Sequence, residues 1–190
     1  MRFVLATANP DKAAEIQAIL GGAIELVARP HSAPEVVESG HTLEENARLK
    51  AAALVGWTGE AAIADDTGLE VDALDGDPGV HSSRYAGEQA SYADNVAKLL
   101  REMAGTLDRR ARFRTVAVAR FPDGREIVAE GVVDGVITSE PHGDRGFGYD
   151  PVFAPEEGGG RTFAELAAEE KHAISHRGRA FRALAEALRP

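Results

Sequence analysis

The spacing of apolar residues in the first third of the chain predicts two short strands and a helix between them. Phe3–Leu5 is an apolar run closed by turn-forming residues, which is typical of a buried strand. Pro10 suits the first position of a helix, and the apolar residues that follow it recur at helical spacing as far as the Gly21-Gly22 stop signal. Ile24–Ala28 predicts the second strand, and the polar stretch Arg29–Gly40 predicts a loop.

The next segment predicts a capped helix followed by a strand. Thr42 and Glu45 have the spacing of a capping box, in which each side chain accepts a hydrogen bond from the other residue's backbone amide. We expect this helix to end at Gly56. Ala61–Ala64 then predicts a strand that runs into Asp65–Gly68 at its end. That segment could also be an ordinary strand-to-turn transition, because aspartate and glycine are common in turns.

The remainder of the chain continues the mixture of helices and strands. Ser91 is expected to cap a helix. Phe113–Phe121 and Glu126–Val133 alternate as strands do, and a Pro-Asp-Gly turn joins them as a hairpin. Further along, the pattern predicts a glycine-rich loop over Ser139–Pro151, a second capping box formed by Thr162 with Glu165, and a last helix after Ser175. The sequence therefore predicts an α/β fold with a mixed sheet.

Composition and charge restrict the classes of partner. The 190 residues are enough for one domain, or for one domain with two lobes, and they include no cysteine, so any metal must use oxygen or imidazole ligands. The formal net charge of −10 argues against a nucleic-acid groove. A nucleoside triphosphate would need a local cluster of cations together with a metal. No apolar run approaches a membrane span and no secretory signal pattern is evident, so we expect a cytoplasmic location and no membrane partner.

The segment Thr7-Ala8-Asn9-Pro10-Asp11-Lys12 lies where the first strand passes into the first helix. Free amides and the positive end of a helix form a natural anion site there, and Lys12 adds a charge suited to phosphate. An ordinary Asn-Pro turn with an exposed lysine would have the same sequence. No Walker loop occurs in the chain, which excludes a P-loop mechanism.

Carboxylates supply the candidate metal ligands. Asp65 and Asp66 are adjacent, and adjacent carboxylates repel each other unless a cation or solvent relieves the repulsion. Mg²⁺ takes one or two carboxylates together with water and substrate phosphates. Glu38 could be the second ligand, although its local sequence favours one loop acid among many in an acidic chain.

Two C-terminal segments carry candidate binding residues. In Gly146-Phe147-Gly148-Tyr149-Asp150-Pro151, aromatic rings separated by glycine suit stacking on a base, but they could also pack on the core. Lys171 and the Ser175-His176-Arg177-Gly178 segment offer donors to phosphate or to a base edge. A capped, basic, exposed helix start would look the same.

Taken together, these segments resemble the Ham1-like family of inosine/xanthosine triphosphate pyrophosphatases. Six blocks occur in the family's order and span nearly the whole chain: Thr7-x-Asn9-x-x-Lys12, Glu38-x-Gly40-x-Thr42-x-x-Glu45-Asn46-Ala47, Ala64-Asp65-Asp66-Thr67-Gly68-Leu69, Pro78-Gly79 through Ser82-x-Arg84-Tyr85, Gly146 through Pro151, and Lys171 through Gly178. Thr67, Leu43 and His81 depart from the common Ser, Phe and Tyr; the hydroxyl is kept at Thr67 and the charged residues are intact.

The resemblance implies one nucleotide pyrophosphatase domain over residues 1–190, with an elongated central mixed sheet flanked by helices and two lobes with an active-site cleft between them. It also implies a homodimer, with the stretch around Pro78–Tyr85 as our expectation for part of its interface. The expected reaction is hydrolysis of non-canonical purine triphosphates (dITP/ITP and XTP/dXTP) to a monophosphate and pyrophosphate, by Mg²⁺-assisted attack of water on the α-phosphorus.

Residue roles follow from the same resemblance. Glu38 and Asp66 would hold Mg²⁺, Asp66 would be the catalytic base, and Asp65 would support the metal, although which carboxylate is the base and which mainly a ligand stays open. The residues expected to bind substrate are Thr7, Ala8, Asn9, Pro10, Asp11, Lys12, Thr67, Phe147, Gly148, Tyr149, Asp150, Lys171, His176 and Arg177. Two alternatives remain: a related pyrophosphatase acting on other nucleotides, such as modified pyrimidines, and a non-catalytic nucleotide sensor, against which the intact Asp65-Asp66 pair argues.

Overall fold

A computed structural model of the protein describes residues 1–189. The strands in this range are β1 (Arg2–Leu5), β2 (Glu25–Val27), β3 (Ala62–Val71), β4 (Pro78–Gly79), β5 (Arg110–Arg120), β6 (Glu126–Ile137) and β7 (Phe153–Pro155). The α-helices are α1 (Pro10–Leu20), α2 (Leu43–Thr58), α3 (Tyr92–Glu102), α4 (Ala168–Ile174) and α5 (His176–Ala187). None of the helices in residues 1–189 is both long enough and apolar enough to cross a bilayer.

The strands form one sheet in the order β2-β1-β3-β5-β6-β7, and β4 pairs with β3. β1 pairs in parallel with β2 and with β3, whereas β4 pairs antiparallel with β3 and β7 antiparallel with β6. The sheet is therefore mixed, which confirms the predicted α/β class with helices beside a central mixed sheet.

The chain forms two compact units, each with its own hydrophobic core. Unit 1 comprises Met1–Asp66, Thr115–Gly131 and the chain from His176 onward, and unit 2 comprises Thr67–Arg114 and Val132–Ser175. The core of unit 1 includes Phe3, Ile16, Ile63, Ala117, Phe181 and Leu184. The core of unit 2 includes Leu69, Leu99, Phe113, Val133, Phe153 and Phe163. The prediction of a single two-lobed domain with a cleft stays a prediction.

Local signals determine several helix ends. Asn9 caps α1, and Thr42 caps α2 through the predicted capping box, because Glu45 N donates to Thr42 Oγ1 and Thr42 N donates to Glu45 Oε2. Ser91 caps α3 as predicted. The prediction that α2 ends at Gly56 is wrong: the helix continues to Thr58, and Gly59 supplies the left-handed residue that ends it, with φ +70°.

Two further predictions are corrected by the structure. Asp65–Gly68 does not lie at the end of a strand but inside the ten-residue strand β3, which also rules out the alternative of a strand-to-turn transition. The capping-box sequence at Thr162 does not begin a helix, since α4 starts only at Ala168. Its reciprocal bond is present in part, because Thr162 N donates to Glu165 Oε2 at 2.8 Å, and the Thr162 hydroxyl donates to His142 O. These partners stabilise a turn without a helix.

Candidate active site

Asp65 and Asp66 occupy consecutive positions of β3, and both are nearly inaccessible to solvent. Successive side chains of a strand point to opposite faces of the sheet. The two carboxylates accordingly have separate partners: Asp65 contacts cations from α1 and α5, and Asp66 contacts side chains from α2. The repulsion expected between adjacent carboxylates is relieved by a separate set of partners on each face.

Side chains of α2 hold both oxygens of the Asp66 carboxylate. The Lys50 ammonium donates to Asp66 Oδ1 at 2.9 Å, and Asn46 Nδ2 donates to Asp66 Oδ2 at 3.2 Å. Asn46 is fully buried, and its own carbonyl oxygen accepts a hydrogen bond from Gly40 N at 2.8 Å. A side chain at Gly40 would collide with Asn46 Oδ1, so the glycine permits this approach.

Lys50 also reaches Glu38, at 3.4 Å from Nζ to Oε2. One ammonium group therefore contacts both carboxylates that are predicted from the sequence to be metal ligands. Burial of Lys50 disfavours its charged form, but the negative charges of Asp66, Asp65 and Glu38 outweigh that effect and raise the pKa of Lys50 above its ordinary value. The ammonium is thus firmly charged at neutral pH.

The Asp65 carboxylate lies between two cations. Lys12 Nζ is 3.2 Å from Asp65 Oδ2, and Arg177 Nε is 3.8 Å from the same oxygen. Burial of Asp65 alone would raise its pKa, but the charges of Lys12, Arg177 and Lys50 reverse the effect and lower the pKa to about 2. Asp65 is therefore an ionised group that orients cations on its face of the sheet.

Arg177 is held on a second side by Glu15, whose Oε2 lies 2.5 Å from Arg177 Nη1. Glu15 follows Lys12 by three positions on α1, so the two side chains share one face of that helix. The preceding residue, His176, is buried at the start of α5. β6 approaches this helix end closely, since a Cβ on Gly131 would lie 2.1 Å from His176 O and 2.5 Å from Ala180 N.

The turn that precedes α1 is closed by its own side chains. Thr7 Oγ1 accepts from Asn9 N at 3.1 Å, and Asn9 Oδ1 accepts from Asp11 N and Lys12 N. The amides of Asn9, Asp11 and Lys12 are therefore already bonded, which corrects the expectation of free amides at these positions. What the turn offers an anion is the half-buried Lys12 ammonium at the positive end of a helix.

In unit 2, a buried ion pair supports the Phe147 ring. Lys171 Nζ lies 2.5 Å from Asp150 Oδ2, and both side chains are 5% exposed. The same oxygen accepts from Phe147 N at 2.8 Å, and Lys171 Nζ is 5.1 Å from the centre of the Phe147 ring. The ring of Tyr92 packs against Phe147 with centroids 5.8 Å apart. Gly146, at φ +71°, is required here because a Cβ would overlap the Asp150 carboxylate.

The remaining candidates of unit 2 differ in their surroundings. Tyr149 is buried in the core and donates its hydroxyl hydrogen to Ser82 O at 2.9 Å, so of the two aromatics in this segment only Phe147 is partly exposed. Gly148 adopts φ +64° between them. Thr67 follows Asp66 in β3 and is partly exposed.

Several side chains that contact candidate residues within one unit or the other carry no role in the sequence-based hypothesis. They are Lys50, Asn46 as a partner of Asp66, Glu15 and Tyr92. A signal exists for two of these, because Asn46 and Lys50 are four positions apart and lie on one face of α2. Helical spacing also links Glu15 to Lys12. No pattern in the sequence associates Tyr92 with Phe147.

Two carboxylates of unit 1, Glu38 and Asp66, have the chemistry of ligands for a hard cation. Within residues 1–189 there is no cluster of three or more His, Cys, Asp or Glu side chains arranged to hold a metal. Glu38 and Asp66 nevertheless converge on one positive centre, the Lys50 ammonium, and both offer the oxygen donors that hard cations prefer. Around Asp65 and Asp66, ion pairs join four carboxylates (Glu15, Glu38, Asp65, Asp66) and three cations (Lys12, Lys50, Arg177). The carboxylate oxygens of Glu38 and Asp66 are the donors that fit a divalent cation.

Comparison with known proteins places the chain in one family. The Ham1 family model matches residues 3–187. A dITP/XTP pyrophosphatase of Streptomyces coelicolor is 48% identical over 99% of this chain and 97% of its own length, and one of Chlorobaculum tepidum is 48% identical over 98% and 92%.

Solved structures give the same result. A HAM1 protein from Coxiella burnetii superposes with a TM-score of 0.90 at 41% identity, covering 99% of this chain and 98% of its own. A nucleoside-triphosphatase / dITP/XTP pyrophosphatase from Mycobacterium abscessus gives a TM-score of 0.77 at 44% identity, with both chains fully covered. The chain belongs to the Ham1 family, because the family model and the related structures match it over nearly its full length.

Proposed function

We propose that the protein hydrolyses non-canonical purine nucleoside triphosphates, such as dITP and XTP, to the monophosphate and pyrophosphate. Family membership and the names of its relatives supply the substrate class. The observation that carries the chemistry is the Asp66 carboxylate, which is buried, held through both oxygens and adjacent to a second carboxylate and a cluster of cations. A fixed carboxylate beside cations can orient a water molecule for attack on a phosphorus atom.

Asp66 is the group that orients the attacking water and accepts its proton. Asn46 and Lys50 fix the direction of the carboxylate, because each donates to a different oxygen. A positioned general base contributes roughly 10² to 10⁴ in rate. Water then attacks the α-phosphorus, the bond from that phosphorus to the bridging oxygen breaks, and pyrophosphate leaves.

Glu38 and Asp66 would hold a divalent cation, for which Mg²⁺ is our candidate. When bound, such an ion neutralises phosphate oxygens and makes the phosphorus more electrophilic. Lys12, at the start of α1, binds the phosphate tail together with the segment Thr7–Asp11. Asp65 keeps Lys12 and Arg177 in place from the opposite face of β3. In this assignment Asp65 positions cations and is not itself a metal ligand.

Phe147 is the residue proposed to stack on the purine. Its backbone is held by Asp150, and Lys171 lies next to the ring, so the ring has a defined place before substrate binds. Gly148, Tyr149, Asp150 and Thr67 shape this part of the site. Of these, Tyr149 contributes through its backbone and through packing, because its side chain is in the core.

His176 and Arg177 are proposed to read the purine edge. Inosine and xanthosine have a carbonyl at C6, which accepts from these donors, whereas adenosine has an amino group that would face donor to donor. Sites built in this way can discriminate by roughly 10⁴. Guanosine shares the C6 carbonyl, so its rejection must depend on its amino group at C2.

The test is an assay of first products across a nucleotide panel. Purified protein with Mg²⁺ should release monophosphate and pyrophosphate in equal amounts from ITP, dITP and XTP, with much slower release from ATP. First products of diphosphate and orthophosphate would contradict the proposed bond cleavage. Preference for modified pyrimidine triphosphates would support the related pyrophosphatase alternative, and nucleotide binding without turnover would support a sensor.

A further inference from the structure

Lys50 occupies the centre toward which both proposed metal ligands point. Its ammonium lies 2.9 Å from Asp66 Oδ1 and 3.4 Å from Glu38 Oε2. The Lys50 side chain is 12% exposed and that of Asp66 is 9% exposed, so bulk water screens these charges poorly. The arrangement joins a loop residue, a helix residue and a strand residue around one positive charge.

A divalent cation would need the same two carboxylate oxygens. It could reach them only if Lys50 gives up its ion pairs, because two positive centres in contact with the same oxygens repel each other strongly where solvent is scarce. Binding of a metal to the nucleotide-free protein therefore has to break existing salt bridges as well as dehydrate the ion.

We propose that Lys50 is an internal counter-ion that keeps Glu38 and Asp66 together while no metal is bound and makes the nucleotide-free protein a weak binder of divalent cations. The inference rests on the metal-binding role proposed for Glu38 and Asp66. A nucleotide changes the balance, because its phosphates offer the ammonium a new anionic partner. The metal is then taken up together with the nucleotide and not ahead of it.

The experiment measures Mn²⁺ binding to the nucleotide-free protein, with the concentration of free Mn²⁺ determined by electron paramagnetic resonance. Lys50→Met removes the charge while keeping most of the side-chain length, and we expect it to bind Mn²⁺ at least about tenfold more tightly than the wild type. Lys50→Arg keeps the charge and should stay within about threefold of the wild type. Adding Asp66→Asn to Lys50→Met should abolish the gain.

Lys98→Met is the matched control. Its ammonium contacts the carbonyl oxygen of Tyr85 at 2.8 Å, so loss of this positive charge should leave the Mn²⁺ affinity unchanged. Circular dichroism establishes that each variant is folded, and Lys50→Gln replaces Lys50→Met if the latter does not fold.

Equal Mn²⁺ affinities for the wild type and the neutral Lys50 variant would overturn the inference, as would an equal gain in Lys98→Met. The measurement uses neither nucleotide nor turnover, so it is independent of the proposed activity. Pyrophosphate release by the wild type alongside unchanged Mn²⁺ binding by Lys50→Met would reject the counter-ion role alone. Tighter Mn²⁺ binding by that variant in a protein that releases no pyrophosphate would reject the function alone.

Discussion

Asp65 and Asp66 are neighbours in β3, yet each carboxylate is bound by a different group of side chains. Asp65 is within 3.2 Å of Lys12, and Asp66 is within 2.9 Å of Lys50. Because a strand sends successive side chains to opposite faces, one pair of adjacent residues can serve two microenvironments. We assign the orientation of substrate-binding cations to Asp65 and the chemistry to Asp66, and this division is open to direct tests.

Asp66→Asn keeps the size of the side chain but removes the charge needed to take a proton and to bind a cation. We expect turnover of ITP to fall by roughly 10² to 10⁴, and by more if a metal ligand is lost as well. Asp72→Asn is the control, since Asp72 is an exposed carboxylate that pairs with Arg110 on the surface. The measurement is the steady-state rate of ITP hydrolysis at saturating Mg²⁺. Near-normal turnover by Asp66→Asn would contradict the assignment of Asp66 as general base.

Two glycines should respond in opposite ways to the same substitution. Gly131→Ala places a Cβ against His176 O and Ala180 N, so the start of α5 must move and both stability and turnover should fall. Overpacking of this kind typically costs about 1–3 kcal/mol. Gly56→Ala lies inside α2 with nothing within 4 Å of the new Cβ, and it should stabilise the protein by about 0.5–1 kcal/mol. Urea unfolding of both variants measures the difference, and equal effects would refute this explanation.

The ion pairs of Asp65 should make stability depend on pH in the acid range. Its pKa is lowered from 3.8 to about 2, so the ionised group stabilises the folded state fully above pH 4 and loses this contribution as the pH falls toward 2. The contribution is about 2 kcal/mol by linkage. Urea unfolding in EDTA should therefore show a flatter pH profile for Asp65→Asn than for the wild type. Asp72→Asn should keep the wild-type slope, and parallel profiles for Asp65→Asn would contradict the prediction.

Arg177→Ala tests whether this guanidinium reads the base. We expect the ratio of the kcat/KM values for ITP and ATP to shrink, because a donor to the C6 carbonyl is lost. Arg182→Ala, an exposed position on the same helix, should leave the ratio unchanged. If the kcat/KM values of Arg177→Ala for ITP and for ATP fall by the same factor, Arg177 does not read the base. It then serves only to hold Glu15 and Asp65 or to bind phosphate. Circular dichroism is needed alongside, since Arg177 is only 2% exposed.

We expect a symmetric homodimer, on the basis of the family resemblance. Light scattering at micromolar concentration should give twice the 20.1 kDa mass of one chain. The stretch Pro78–Tyr85 is our candidate for part of the interface, so charged substitutions at its exposed positions should weaken the association. A particle with the mass of one chain would count against the prediction.

Local sequence patterns sufficed for most of the helices and strands, because periodicity and caps act over a few residues. They placed the end of a strand at Asp65–Gly68, whereas the strand continues through these residues although aspartate and glycine are common in turns. The missing information is tertiary: the cations that stabilise buried carboxylates come from Lys12, Lys50 and Arg177, which are distant in the chain. The capping-box pattern at Thr162 failed for a related reason, since its hydroxyl is engaged by His142 O.

The ordered motifs were enough to predict the candidate site residues, but not the contacts that their side chains make with one another. Glu38 and Asp66 were candidates on chemistry alone, whereas their common contact with Lys50 depends on how α2 packs beside β3. The sequence of the glycine-rich segment does not distinguish Tyr149 from Phe147. Only the packing of unit 2 shows that the tyrosine lies in the core and that the phenylalanine is partly exposed.

The path of the chain through the two units has a consequence for any attempt to divide the protein. β3, β5 and β6 each begin in one unit and end in the other, so neither unit corresponds to an unbroken stretch of the gene. A fragment that ends after Asp66 would lack the strands and the final helix that complete its own core. Truncation libraries and split-protein reporters should therefore yield no autonomous half, and exchange of one half between homologues would require several simultaneous crossovers rather than one.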